Sequence, residues 1–158
     1  MREFSPLEFS EHLVALEVGF HTKVHRALED CLKVLQKDMK AQIGDYQDAA
    51  GPYGAWQPLA DETELEKAHL GAPANAPLYR QGDLKKSFKY ETDGIEGIVG
   101  STDPVMVEHE YGTRTMPPRP VVGPALWKNR DFIRGLCAQA VIETLTATTI
   151  ARELIRLE

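Results

Sequence analysis

Apolar residues at Leu13, Leu16, Phe20, Val24, Ala27, Leu28, Cys31, Leu35 and Met39 recur in steps of three and four, one stripe of a 3.6-residue helix. Ser5-Pro6-Leu7-Glu8 ahead of them reads as a capping box: the Ser5 hydroxyl takes the Glu8 amide, the Glu8 side chain reaches back, and Pro6 suits the first turn. Gly44 closes the segment, so a helix is expected over residues 6–43. Unbroken, it would be about 57 Å long at 1.5 Å per residue, against a radius of gyration of roughly 15 Å for a compact domain of this length. Such a helix either bends, with Gly19 the weakest point, or overhangs its own domain and meets a neighbour.

From Asp45 to Gly82 the pattern dissolves into prolines and glycines, with Pro52, Pro58, Pro73, Pro77, Gly51, Gly54 and Gly71 spread through it. One short helix is expected inside this loop, capped by Asp61 and running from Glu62 to His69. Tyr53 and Trp56 give the loop anchors, either folding it back on its own domain or serving as an arm that meets another subunit. A β-hairpin follows over residues 84–101, with strands Leu84–Glu91 and Ile95–Ser101 around Asp93-Gly94. Phe88 and Tyr90 share one face and are expected opposite Ile95 or Val99. Two strands are marginal in water, so the long helix should cover one face and a third strand should come from Pro120 to Val122 or from the loop.

A short helix is expected over residues 104–111, with Asp103 as its cap, Pro104 at its first position and Gly112 as a left-handed stop. Met116-Pro117-Pro118-Arg119-Pro120 is then a stiff extended arm with few backbone donors. Leu126, Trp127, Phe132, Ile133, Leu136, Ala140, Val141 and Leu145 mark a C-terminal helix over residues 124–147. The threonine-rich piece from Thr144 to Thr149 weakens it, and Ile150 to Leu157 reads as a separate short helix. The fold class is therefore α+β in one domain of 158 residues: two long helices on a small antiparallel sheet, with a long extended loop between.

A net charge of −6 argues against wrapping nucleic acid, whose phosphates are bound by clustered Lys and Arg. The basic cluster Arg80, Lys85, Lys86 and Lys89 reads as a solvated strand edge, where lysines discourage unwanted pairing. Cys31 and Cys137 lie far apart in the sequence without metal or redox spacing, and read as reduced, buried thiols of an intracellular protein. No apolar run has the length of a membrane span, and no signal-peptide pattern opens the chain.

Chemistry is sparse. His21 and His25 stand one helical turn apart, as in a helical metal pair, but Thr22 occupies the position of the glutamate that a zinc hydrolase needs, and no third ligand can be named. Glu108-His109-Glu110 puts carboxylates beside an imidazole, yet consecutive helical residues point apart. No phosphate loop or nucleophile elbow is present. Pro117 to Pro120 could bind an aromatic groove as a polyproline ligand, which would make the chain an adaptor, but its place between a hairpin and a helix suits a rigid joint. Arg119 has the fork for a bidentate carboxylate contact. No catalytic residue, metal ligand or cofactor is expected.

Glu108-His109-Glu110-Tyr111-Gly112-Thr113, then Met116-Pro117-Pro118-Arg119-Pro120 and Pro124-Ala125-Leu126, resembles the signature of phage tail-completion (head-tail joining) proteins. Upstream, Leu78 to Ser87 (Leu-Tyr-Arg-Gln-Gly-Asp-Leu-Lys-Lys-Ser) followed by Val99-Gly100-Ser101 is similar to the arginine, glycine, leucine, serine, valine-glycine pattern of the same family. Trp56-Gln57-Pro58-Leu59, Thr63 and Lys67 resemble the related Mu-like virion morphogenesis proteins. The resemblance covers residues 56–126; it departs at Val121 and Val122, where many relatives carry an aromatic residue. It implies a non-enzymatic virion protein of a tailed bacteriophage, assembled in the host cytoplasm and resident in the neck. The implied assembly is a ring of identical subunits, a hexamer or alternatively a dodecamer, between the head-closure or adaptor protein and the tail-terminator or tail-tube protein. DNA would pass through its channel without specific binding, and no membrane is involved. Candidates for the subunit interface are Tyr111, Gly112, Thr113, Met116, Pro117, Pro118, Arg119, Pro120, Trp56 and Arg80. The alternatives are a tail-terminator subunit or, from another class, a metal-dependent hydrolase built on the histidine and glutamate clusters.

Overall fold

Helix α1 (Pro6–Gln42) starts as its capping box predicts: the Ser5 amide donates to Glu8 Oε2 at 2.9 Å and the Glu8 amide to Ser5 Oγ at 3.3 Å. It runs helical through Gly19 without interruption. The remaining elements of the computed structural model, which describes residues 5–154, are α2 (Asp61–His69), α3 (Asp83–Ser87), β1 (Phe88–Asp93), β2 (Glu96–Ser101), α4 (Val105–Tyr111) and α5 (Val122–Leu154). The class is α+β as expected, with the two long helices packed on a two-stranded antiparallel sheet of order β1-β2.

Several boundaries differ from the sequence reading. Residues 83–87 form a helical turn and not the start of a strand: Gly82 enters it at φ 86°, Asp83 lies in its first turn, and the Ser87 hydroxyl donates to the Leu84 carbonyl. The hairpin turn is Gly94-Ile95, one residue later than Asp93-Gly94, because Gly94 supplies positive φ (61°) at the first turn position. That register sets Tyr90 opposite Val99 and leaves Ile95 in the turn. Asp61 is the first residue of α2 and not its cap; the Ala60 carbonyl accepts the first amides, and Asp61, Glu62 and Glu64 meet the positive end of the helix. No third strand joins the sheet among the described residues, and Pro120 to Val122 leads into a helix instead.

The threonine-rich piece does not break α5. Thr144 Oγ1 donates to the Ala140 carbonyl and Thr146 Oγ1 to that of Ile142, both at 2.8 Å, so the hydroxyls are satisfied inside the helix. The helix therefore continues to Leu154 in place of the separate segment expected from Ile150, whose last residues lie outside the described part.

Among the described residues the chain gathers into two compact units. The first holds residues 5–31, 92–97 and 131–154. Within it α1 and α5 run antiparallel: a methyl at Gly19 would lie 3.8 Å from Thr144 Cγ2, while Cys137 lies beside Cys31. Small buried side chains, Ala27, Cys31, Ala140 and Thr144, permit this approach. His25 Nδ1 meets the Gly94 carbonyl at 2.9 Å and so ties the hairpin turn to α1. The cysteine reading is corrected here: Cys31 is buried, Cys137 is exposed, and the fold brings together two thiols that are far apart in sequence.

The second unit holds residues 32–91 and 98–130. Its core is Leu32, Leu35, Met39, Ile43, Trp56, Phe88, Met106, Val121 and Ala125, with Phe88, Val121 and Ala125 fully buried. Polar side chains of α1 tie down its backbone, Gln36 Nε2 donating to the Phe88 carbonyl and Gln42 Nε2 to that of Val121. The loop from Asp45 to Gly82 folds back here, the first of its two alternatives. Its bonds run from the Gly44 amide to the Pro77 carbonyl, from Trp56 to Gln47, and from the Leu59 amide to the Tyr46 hydroxyl. Gly51, at φ 59°, lies so close to the Trp127 indole that a Cβ there would fall 2.0 Å from the ring, whose face also carries the Arg130 guanidinium at 4.1 Å.

Candidate functional site

The stretch from Asp103 to Ala125 is a closed structure of its own. Asp103 Oδ1 accepts the Val105 amide at 3.0 Å, and the Asp103 carbonyl accepts that of Met106; α4 begins at Val105 with Pro104 in the cap position, one residue later than expected, and Asp103 ties down its first amides from the residue before. Gly112 ends the helix at φ 74° and ψ 173°. Positive φ was foreseen, but this is the extended glycine region and not the left-handed helical one, so the chain reverses sharply here and does not curl on. A Cβ at Gly112 would stand 2.9 Å from the Met116 oxygen and from the Pro118 nitrogen. Thr113 closes the turn, its amide donating to the Met116 carbonyl and its hydroxyl accepting the Met116 amide.

The proline arm then returns along α4, and the Arg119 amide donates to the His109 carbonyl at 2.7 Å. Where the arm becomes α5, Glu110 supplies the cap: Oε2 accepts the amides of Val121 and Val122, and Oε1 that of Gly123. The sequence reading missed this role. Its signal was an absence, since Arg119-Pro120-Val121 ahead of α5 offers no Ser, Thr, Asp or Asn of its own to take the first amides.

The candidate interface residues separate into two groups. Tyr111, 80% exposed, stands outward with Thr113 and Pro118, while Gly112, Met116, Pro117 and Pro120 are partly covered. Trp56 and Arg119 lie inside the fold, where Trp56 Nε1 donates to the Pro120 carbonyl and Arg119 Nη2 to the carbonyls of Gln57 and Pro58, each at 3.2 Å. Arg119 thus holds the loop to the arm through carbonyls, in place of the carboxylate fork expected of it. Arg80 is exposed and paired with Glu66 at 3.2 Å. Of the remaining basic cluster, Lys86 pairs with Asp83, and Lys85 and Lys89 face solvent.

Loop, α2 and arm enclose an open cleft of about 880 Å³. Lys67, Arg80, His109 and Arg119 line it, with Glu66 and Asp103 as its acids. Burial, then the nearby Arg80 charge, pushes the Lys67 ammonium below its ordinary range, and Glu64 partly opposes this. Burial, then Arg119, lowers His109 from its ordinary value of 6.5, against Glu108 and Asp103. The imidazole is therefore neutral at pH 7.

The three residues of Glu108-His109-Glu110 go separate ways: Glu108 to solvent, His109 to the cleft and Glu110 to the α5 cap. His21 packs edge-on to Phe20, while His25 is engaged by Gly94. Among the described residues no three His, Cys, Asp or Glu side chains converge as a metal site would require. No described helix is long and apolar enough to cross a membrane. No protein-family model, curated protein or solved structure matches this chain.

Proposed function

We propose that this chain is a structural assembly subunit, a tail-completion protein that forms a ring in the neck of a tailed bacteriophage and joins the head connector to the tail. One observation carries the need for a neighbour. The first half of α1 bears a second apolar stripe, Leu7, Val14 and Val18, in steps of seven and four, angularly separate from the stripe that leads into the core. These side chains are 69%, 59% and 62% exposed. A helix apolar on two faces is normally covered on both, and apolar surface left open on a soluble chain marks a contact site. Identical subunits meeting through two different patches close into a ring when the rotation permits, which lets each copy cover the next. The ordered motif set from Trp56 to Leu126 supports the neck assignment, and the rigid α4, arm and α5 assembly is a suitable platform for it.

Deleting the gene and examining the lysate by electron microscopy tests the assignment. DNA-filled heads beside finished, unattached tails are expected. Tails of abnormal length would assign the terminator role instead, and normal infectious particles would overturn the reading. The stripe is tested separately by the triple substitution Leu7→Ser, Val14→Ser, Val18→Ser: because these residues are exposed in the single chain, helix content and melting should hold while assembly fails.

A further inference from the structure

Two cations of the cleft are sunk in the protein. Lys67 is 4% and Arg119 5% exposed, and among the described residues neither meets a carboxylate: the Lys67 ammonium donates to the Ala76 carbonyl, and Arg119 Nη2 to those of Gln57 and Pro58. A buried cation held only by carbonyls has lost its water without a carboxylate in contact, since Glu64 acts on Lys67 only from a distance, and this is costly unless an anion arrives. Arg119 Nε and His109 Nδ1 are buried as well and have no hydrogen-bond partner among the described residues. Arg80 stands nearer the solvent in the same cleft, while Leu59, Leu78, Val105 and Met116 give it apolar walls.

We propose that this cleft is a docking site for an acidic peptide segment of a partner protein, its carboxylate met by Lys67 and Arg119 and its apolar flanks by Leu59, Leu78, Val105 and Met116. Charge complementarity selects the carboxylate, and the apolar walls select a peptide over a bare anion. A nucleic acid fits poorly: phosphate backbones are held by exposed, clustered cations, and the chain as a whole carries a net charge of −6. The buried Arg119 guanidinium is already oriented by Gln57 and Pro58, so a bound carboxylate would find it preorganised. The inference does not depend on the neck assignment, since it rests only on side chains of the second unit.

The test is a two-dimensional amide NMR titration of the full chain with acetyl-Leu-Glu-Leu-amide, its glutamine counterpart and inorganic phosphate. The glutamate peptide should give saturable shifts at Lys67, Arg80, His109 and Arg119 and raise the His109 pKa on binding. The glutamine peptide should bind at least about tenfold more weakly, the loss expected for a hydrogen bond to a charged group. Lys67→Met should weaken the glutamate peptide to a similar degree, and Arg80→Gln, at an exposed residue that leaves the fold intact, severalfold. Equal binding of the two peptides, shifts that map outside the cleft or no saturation would overturn the proposal. Phosphate binding as tightly as the peptide would also overturn it and assign a site for free anions.

Discussion

The Glu110 carboxylate of α4 and the Gly123 amide of α5 join two helices through a 2.9 Å hydrogen bond, while the other oxygen of the same carboxylate takes Val121 at 2.7 Å and Val122 at 3.0 Å. A short helix thereby caps the start of a long one that begins eleven residues after its own last residue. The first amides of α5 carry the positive end of its dipole, so a carboxylate serves them better than a neutral acceptor.

Glu110→Ala should cost about 2 kcal/mol or more, because it leaves several partly buried amides without an acceptor. Glu110→Gln should fall between, since one oxygen remains to accept. Denaturant unfolding measures the cost, and faster amide exchange confined to residues 121–123 locates it. Wild-type stability in the alanine variant would remove Glu110 from this role.

Gly112 and Gly94 both stand at positive φ, 74° and 61°, but a Cβ at Gly94 would enter open space while one at Gly112 would meet the Met116 and Pro118 backbone at 2.9 Å. Gly94→Ala should therefore cost about 1 kcal/mol, the ordinary conformational penalty. Gly112→Ala should cost more, since backbone, unlike a side-chain tip, cannot swing aside. Equal melting temperatures for the two variants would show that the reversal at Gly112 is not sterically closed.

His109 makes stability fall in mild acid. Its folded-state pKa lies below the ordinary 6.5, so between the two values the unfolded chain binds the extra proton and the native state resists it. Stability attributable to this group is complete above pH 6.5, declines as pH falls through that value and levels off below the folded pKa. His109→Gln, which cannot titrate, should flatten the decline of the urea midpoint between pH 7 and 5. An unchanged slope would assign the acid sensitivity to other groups.

The two thiols should react at very different rates. Cys137 is exposed, whereas Cys31 is buried and its thiol is pushed up by desolvation, then by the nearby Cys137 and Asp30. An aromatic disulfide reagent should modify one thiol per native chain and a second only in denaturant. Because the folded state disfavours the Cys31 thiolate, stability should also fall as pH rises above the ordinary thiol pKa, and Cys31→Ala should remove that dependence. Rapid modification of both thiols in the native chain would contradict the burial of Cys31.

What the sequence alone determined here is what neighbours in the chain decide. Ser5 and Glu8, Asp103 and Val105, and positive φ at Gly112 are settled within a few residues by capping chemistry and backbone sterics, and each stands within one residue of where the pattern puts it. The class followed from periodicity, because a stripe of steps three and four cannot lie flat as a strand. Two further outcomes were local as well, though the pattern did not show them: the threonine-rich run stays in α5 through hydroxyl bonds to carbonyls four residues back, and the positive φ of Gly94 sets the hairpin turn one residue later. Tertiary structure decided the rest. Glu110 became a cap, Arg119 a clasp on the loop and Cys137 a neighbour of Cys31 only because long-range packing brought together groups that no local spacing relates. The cleft arises the same way: Lys67 and Arg119 lie far apart along the chain, and their shared burial exists only once α2, loop and arm have folded around them.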